Sequence, residues 1–162
     1  MLSLIRVDDR LIHGQVMAVW VRALNINHIL VIDNTTAADA FSQQVMQLAV
    51  PSTMRLSIYS VANAVAALHN AEISDDHVLV LLRDVESAAD LQPLFRWTAL
   101  NLGGSGMSAG RKLIWRSIAL SNRQIKLLDR LQTDGVDVYL QMVPSDHKRR
   151  YSSIAWRTLT QN

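Results

Sequence analysis

Cysteine is absent from the 162 residues. Its absence excludes disulfides, Cys-ligated zinc, iron–sulfur clusters and thiol catalysis. Three prolines and six glycines are too few for a collagen-like or linker composition. No segment reaches the ~18 consecutive apolar residues of a membrane helix. The amino-terminal MLSLIRVDDR carries charges at positions 6, 8, 9 and 10, unlike a signal peptide, so a cytoplasmic location is expected. Charged residues make up 19% against 49% hydrophobic, which excludes a disordered, highly charged chain. The length suits one domain spanning 1–162. Net charge is also small, +2, and its excess is local. Lys148, Arg149, Arg150 and Arg157 fall within 147–162 with no acid, which leaves 12 cations against 14 acids elsewhere. The pI near 9.3 reflects that short basic tail, and nucleic acid is not the expected partner.

What the chain does have is alternation of short apolar runs with helical periods. Residues 2–7 (LSLIRV), 28–33 (HILVID), 56–60, 77–82 (HVLVLL), 99–102 and 136–143 (VDVYLQMV) read as strands, and 113–115 begins another. Val16, Val19, Trp20 and Ala23 share one face of a predicted helix over 14–24. A second helix, offered caps by Asn34, Thr35, Thr36 and Asp39, carries Phe41, Val45 and Leu48 and stops at Pro51. Val61, Val65 and Leu68 mark a third, and Leu91, Leu94 and Phe95 a fourth. Ile125, Leu128 and Leu131 mark a fifth, capped by Ser121, with Gly135 suited to its C′ position. Alternating strands and helices predict an α/β fold, a mostly parallel sheet with helices on both faces. Ligands then bind beyond the carboxyl ends of the strands. The loops in question are Asp8 to Gly14, Asp33 to Thr36, Arg83–Asp84 and Pro144 to Asp146.

VDDRLIHGQV (7–16) concentrates reactive side chains at the first strand end. His13, Gly14 and Gln15 stand at a helix entrance, where unpartnered N–H groups and the macrodipole favour an anion by ~0.3–1 kcal/mol. Arg10 can fork two donors onto phosphate oxygens, and Gly14 lets backbone approach a bulky anion. A neutral imidazole nitrogen can take a phosphoryl group once its oxygens are neutralised. Asp8 or Asp9 can accept the other ring N–H and fix the tautomer. The same residue types also serve as a local salt-bridge cluster with a helix-start histidine. GGSGMSAG (103–110) is neither a P-loop nor a dinucleotide fingerprint, because Arg111–Lys112 replaces Lys-Ser/Thr and the segment precedes a strand. A hydrolase using His13 as base would lack the G-x-S-x-G elbow. His28, His69, His77 and His147 read as structural, and Trp97, Trp115 and Trp156 as core or interface packing.

VDDRLIHGQV resembles the active-site loop of IIB subunits of the mannose/fructose/sorbose family of the bacterial phosphotransferase sugar-uptake system. Trp20, HILVIDNTTAAD, AVPSTMRLSIYSV, NLGG (101–104), Gly110–Arg111 and QMVPSD (141–146) extend the resemblance over nearly the whole chain. Ser105 stands where the family commonly has Met, and Asn34 where an acid is common. The resemblance implies a three-layer α/β/α sandwich and a protein-Npi-phosphohistidine–sugar phosphotransferase. His13 would accept a phosphoryl group through Nδ1 from a phosphohistidine of IIA. It would donate it to a sugar entering through the membrane subunits IIC and IID. Arg10 would hold phosphate oxygens, with Asp9 as supporting carboxylate and Gly14 and Gln15 at the phosphate seat. No metal or nucleotide cofactor is implied, and a homodimer is allowed. A regulatory protein on the same fold, whose phosphorylation state signals sugar availability, would keep the same loop. Arg6, Arg10, Lys148, Arg149 and Arg150 are expected to form a basic rim that steers an acidic donor.

Overall fold

The computed structural model describes residues 1–152; Trp156 and Arg157 lie outside them. Seven strands form one sheet: β1 (Leu2–Asp8), β2 (His28–Ile32), β3 (Arg55–Tyr59), β4 (Val78–Leu82), β5 (Ala99–Gly104), β8 (Asp137–Leu140) and β9 (Arg149–Arg150). Their order is β3-β2-β4-β1-β5-β8-β9, parallel except for β9. β6 (Arg111–Trp115) and β7 (Ile118–Ser121) make a separate antiparallel hairpin. β2 and β4, HILVI and VLVLL, are buried at every position, as expected for inner strands covered on both faces.

The two faces carry separate cores. Ile5, Val7, Leu30, Ile32, Val80 and Leu82 pack against Ala64 and Leu68 of α4 (Ala64–Ile73), Val85 and Leu91 of α5 (Val85–Leu91), and Leu128 and Leu131 of α6 (Asn122–Thr133). The alternate residues Leu4, Ile29, Val31, Leu79 and Leu81 pack against Val16, Trp20 and Val21 of α1 (16–23). Met46 of α3 (Ala40–Ala49) joins this second core from its margin. The result is the expected α/β/α sandwich. The strand order sets its switch point. From β1 the chain crosses to β2, beyond β4; from β4 it crosses to β5, beyond β1. Crossovers thus leave the carboxyl ends of adjacent strands in opposite directions, which opens a crevice there.

Several local expectations are corrected. The first helix, α1, is a π turn over Val16–Trp20 continued as α-helix over Val21–Ala23. Its i→i+5 bond, Val21 N–H to the Val16 carbonyl, moves the buried face to Val16, Trp20 and Val21 and turns Val19 and Ala23 outward. The predicted second helix is two, α2 (Asn34–Ala38) and α3, capped by Asp33 and Asp39. Phe41, Val45 and Leu48 are exposed instead of buried. The Gln43 side chain donates to the Thr36 and Ala37 carbonyls at the end of α2, and this turns the Gln43–Met46 side of α3 inward. Leu94 lies beyond the end of α5 and is exposed, while Leu91 and Phe95 are buried. Ser121 caps α6 in a reciprocal box with Gln124, and Gly135 takes φ 91° after its last turn.

The last parallel strand ends at Leu140, short of the predicted 143. The Gln141 carbonyl is taken by Arg6 and Asn101 side chains and leaves the ladder. Residues expected to form a basic tail instead include the edge strand β9, whose Arg149 and Arg150 pair with Leu140 and Tyr139. The ammonium of Lys148 sits 4.6 Å from the Tyr139 ring centroid.

Candidate functional site

Asp8 ends β1 at the crevice, and the carbonyl of Asp8 accepts the Leu11 N–H at 2.9 Å. This turn folds Arg10 back over Asp8. Leu11 takes φ 54°, a conformation costing an ordinary L-residue about 1–2 kcal/mol. Its side chain is fully buried in the α1-side core, a gain of about 1.5–3 kcal/mol that offsets the strain. The reactive loop is therefore pinned by an apolar anchor. The chain then enters the first helix, where the His13 carbonyl accepts the Met17 N–H.

Asp8 is the centre of the cluster and is fully buried. Arg6 approaches from inside the sheet, with Nε at 3.2 Å and Nη2 at 2.9 Å from Oδ2. Arg10 approaches from outside, with Nε at 2.9 Å from Oδ1 and Nη2 at 2.9 Å from Oδ2. His13 Nε2 lies 3.1 Å from Oδ2. Burial alone would push the Asp8 carboxyl up. Hydrogen bonds from His13 and Arg10 and the charge of Arg6 overrule it and hold the group well below the usual carboxylate range. An ionised Asp8 accepts the Nε2–H of His13, which leaves the lone pair on Nδ1. Among the described residues, Nδ1 has no hydrogen-bond partner.

Asp9 faces another way. Its carboxylate accepts the Gly106 N–H at 2.6 Å, and its carbonyl accepts from Arg83 Nη1 at 3.0 Å. Arg83 also ion-pairs with Asp33, so loops after β1, β2, β4 and β5 are tied together around the crevice. The carboxylate in contact with the imidazole is thus Asp8, one of the two candidates, and not Asp9. Gln15 Oε1 accepts from Arg10 Nη2 at 3.4 Å. A Cβ at Gly14 would meet no atom within 4 Å, so the helix entrance is open there. The structure brings Arg10, His13 and Gln15 together around Asp8 and holds Asp9 on the neighbouring glycine loop.

Arg6 corrects the expected rim. Its side chain is 0% exposed and cannot meet a partner surface. Nη1 donates to Asn101 Oδ1 and the Gln141 carbonyl, and the guanidinium lies 5.2 Å from the Trp20 ring centroid. Gly103 makes the room, since a Cβ there would fall 1.7 Å from Arg6 Cζ. Its signal was present in the sequence. Arg6 and Asp8 sit at i and i+2 of an apolar strand, so they share a face, and a cation inside such a strand requires a buried partner.

Fold and site define a class, an open parallel α/β sandwich with a carboxylate-oriented histidine at the switch point of its sheet. Residues 2–161 match the family described as PTS system sorbose subfamily IIB component. The chain is 30% identical to the PTS system sorbose-specific EIIB component of Klebsiella pneumoniae over 146 residues, 90% of this chain and 89% of that protein. It is 24% identical to the mannose-specific EIIAB component of Escherichia coli K12, covering 91% of this chain and 46% of that protein. The crystal structure of the IIBSor domain of the K. pneumoniae sorbose permease superposes with a TM-score of 0.85 at 26% identity, covering 100% of this chain and 98% of that one. This chain belongs to the sorbose subfamily of IIB components of the phosphotransferase system. Among the described residues, no helix is long and apolar enough to cross a membrane.

Proposed function

We propose that this chain is the phosphoryl carrier of a sugar-uptake phosphotransferase system, with His13 as the residue that carries the group. The observation that carries this reading is the contact of His13 Nε2 with the buried, ionised Asp8 at 3.1 Å. It puts the nucleophilic lone pair on Nδ1. That pair attacks the phosphorus of a phosphohistidine on IIA, a new N–P bond forms, and the donor's N–P bond breaks with its electron pair returning to the donor ring. In the second step a sugar hydroxyl oxygen attacks the same phosphorus. The bond to His13 breaks, Nδ1 recovers its pair, and the hydroxyl proton passes to solvent.

Charge on the transferring oxygens must be neutralised in both steps. Arg10 is the cation for this, 44% exposed and next to His13 in the cluster. Gly14 and Gln15 border the phosphate seat. Asp9 supports it indirectly, by holding the Gly106 loop beside the crevice. The donor is IIA, and the mannose relative whose name joins A and B components supports that pairing. The sugar acceptor enters through IIC and IID, and this chain meets it on the cytoplasmic side of the membrane.

The test uses vesicles containing IIC and IID. The chain labelled by phosphorylated IIA is added with candidate sugars. Label leaving the chain and appearing as sugar phosphate is the expected result. Label that stays on the chain with every sugar of the family's range would overturn the transport role.

A further inference from the structure

We propose that Arg6 is a positioning residue for phosphoryl transfer: it is the permanent counter-ion of Asp8, and it frees Arg10 to leave Asp8 for the phosphoryl group while Asp8 stays on His13. The proposal rests on the carrier reading above. Its basis is the unequal placement of two guanidiniums on one carboxylate. Arg6 is 0% exposed and Arg10 is 44% exposed, yet both reach Asp8 at 2.9 Å.

Arg6 has nowhere to go. Its Nε and Nη2 are on Asp8, Nη1 is on Asn101 Oδ1 at 2.6 Å and on the Gln141 carbonyl at 3.0 Å, and Nη2 also reaches the Met142 carbonyl at 3.4 Å. Trp20 covers one side, and the backbone of Gly103 underlies it. Trp20 itself is tied to the Met142 carbonyl through Nε1. These partners come from β1, β5 and the segment after β8, so the sheet, and not the loop, sets the position of Asp8.

Arg10 differs. Among the described residues, its side chain has, beyond Asp8, one long hydrogen bond to Gln15. It can swing toward a phosphoryl group on Nδ1 only if its departure does not strand a buried carboxylate, since an unpaired buried charge is strongly unfavourable. Arg6 removes that obstacle. With Arg10 gone, Asp8 still accepts two bonds from Arg6 and one from His13. The tautomer that exposes Nδ1 is therefore preserved through the exchange.

The first experiment uses the wild-type protein. Side-chain ¹⁵Nε–¹H resonances of Arg6 and Arg10 are compared before and after phosphorylation by IIA, with label on His13 scored separately. The Arg10 signal is expected to move and the Arg6 signal to stay. Label on His13 with Arg10 unmoved overturns this proposal alone, whereas no label overturns the carrier reading. The second experiment reads the tautomer of His13 from its imidazole ¹⁵N shifts. Arg10→Ala should keep the Nε2–H form. Arg6→Lys, and Gly103→Ala, which pushes the guanidinium aside without deleting it, should mix the two tautomers and slow transfer about tenfold or more. A wild-type tautomer and rate in either folded variant, or equal disturbance by Arg10→Ala, would overturn the assignment.

Discussion

Arg10 closes a two-pronged fork on Asp8, with Nε 2.9 Å from Oδ1 and Nη2 2.9 Å from Oδ2. Hydrogen bonding to Asp8 raises the Arg10 pKa further. The same fork geometry suits two oxygens of a phosphoryl group, so one side chain can serve two acceptors in turn.

Arg10→Lys keeps the charge and loses the fork. Transfer from phosphorylated IIA should slow about tenfold. Stability should fall by less than about 1 kcal/mol, because the side chain is half-exposed and Arg6 still pairs with Asp8. Rapid-quench transfer rates and urea melts on one preparation separate the two. A large stability loss with normal transfer would make Arg10 a structural residue.

Asp8→Asn should be severe. It leaves the buried Arg6 without a counter-ion, at a cost of about 3–5 kcal/mol in urea unfolding. It also removes the charged acceptor for His13 Nε2–H, so the folded fraction should transfer poorly. Unchanged unfolding midpoints would contradict the buried ion pair.

The pH dependence follows from the sign of the Asp8 shift. Its folded-state pKa is depressed below the unfolded value of about 3.9. The stabilisation is fully present above that unfolded value and is lost as pH falls through the folded pKa. Wild type should therefore lose stability on acidification below about pH 4, and Asp8→Asn should lose less over the same window. Parallel acid titration curves for the two proteins would contradict this.

Arg6 is buried, which leaves the exposed Lys148, Arg149 and Arg150 as candidates to steer the donor. Replacing Lys148, Arg149 and Arg150 with Ala should lower the second-order rate of transfer from IIA and flatten its dependence on salt. Screening shortens from ~10 Å at 0.1 M to ~3 Å at 1 M, so the two rates should converge at high salt. Equal rates and equal slopes would remove these residues from docking.

Much of the architecture was legible in the sequence because buried parallel strands announce themselves as apolar runs, HILVI and VLVLL above all. Periodicity misled where local hydrogen bonding outweighed it. The π bond at Val16–Val21 rotated α1, and Gln43 turned α3 so that Phe41, Val45 and Leu48 faced outward. At the candidate site, the concentration of Arg10, His13, Gly14 and Gln15 after a strand and at a helix entrance was legible in the sequence. The choice between Asp8 and Asp9 could not, because it depends on the turn closed by Leu11 and on Gly106, far away in sequence. The strand pattern of Arg6 and Asp8 signals a buried cation, but its further partners Asn101 and Gln141 come together only when β1, β5 and β8 are aligned.

The carrier role of His13 stands or falls on where the phosphoryl group resides. Wild type and His13→Ala are incubated with phosphorylated IIA, and the label is mapped by peptide mass spectrometry before and after mild acid. An acid-labile phosphoryl group is expected on His13 of the wild type and none on the variant. Undiminished label on His13→Ala, or label that survives acid, would contradict it.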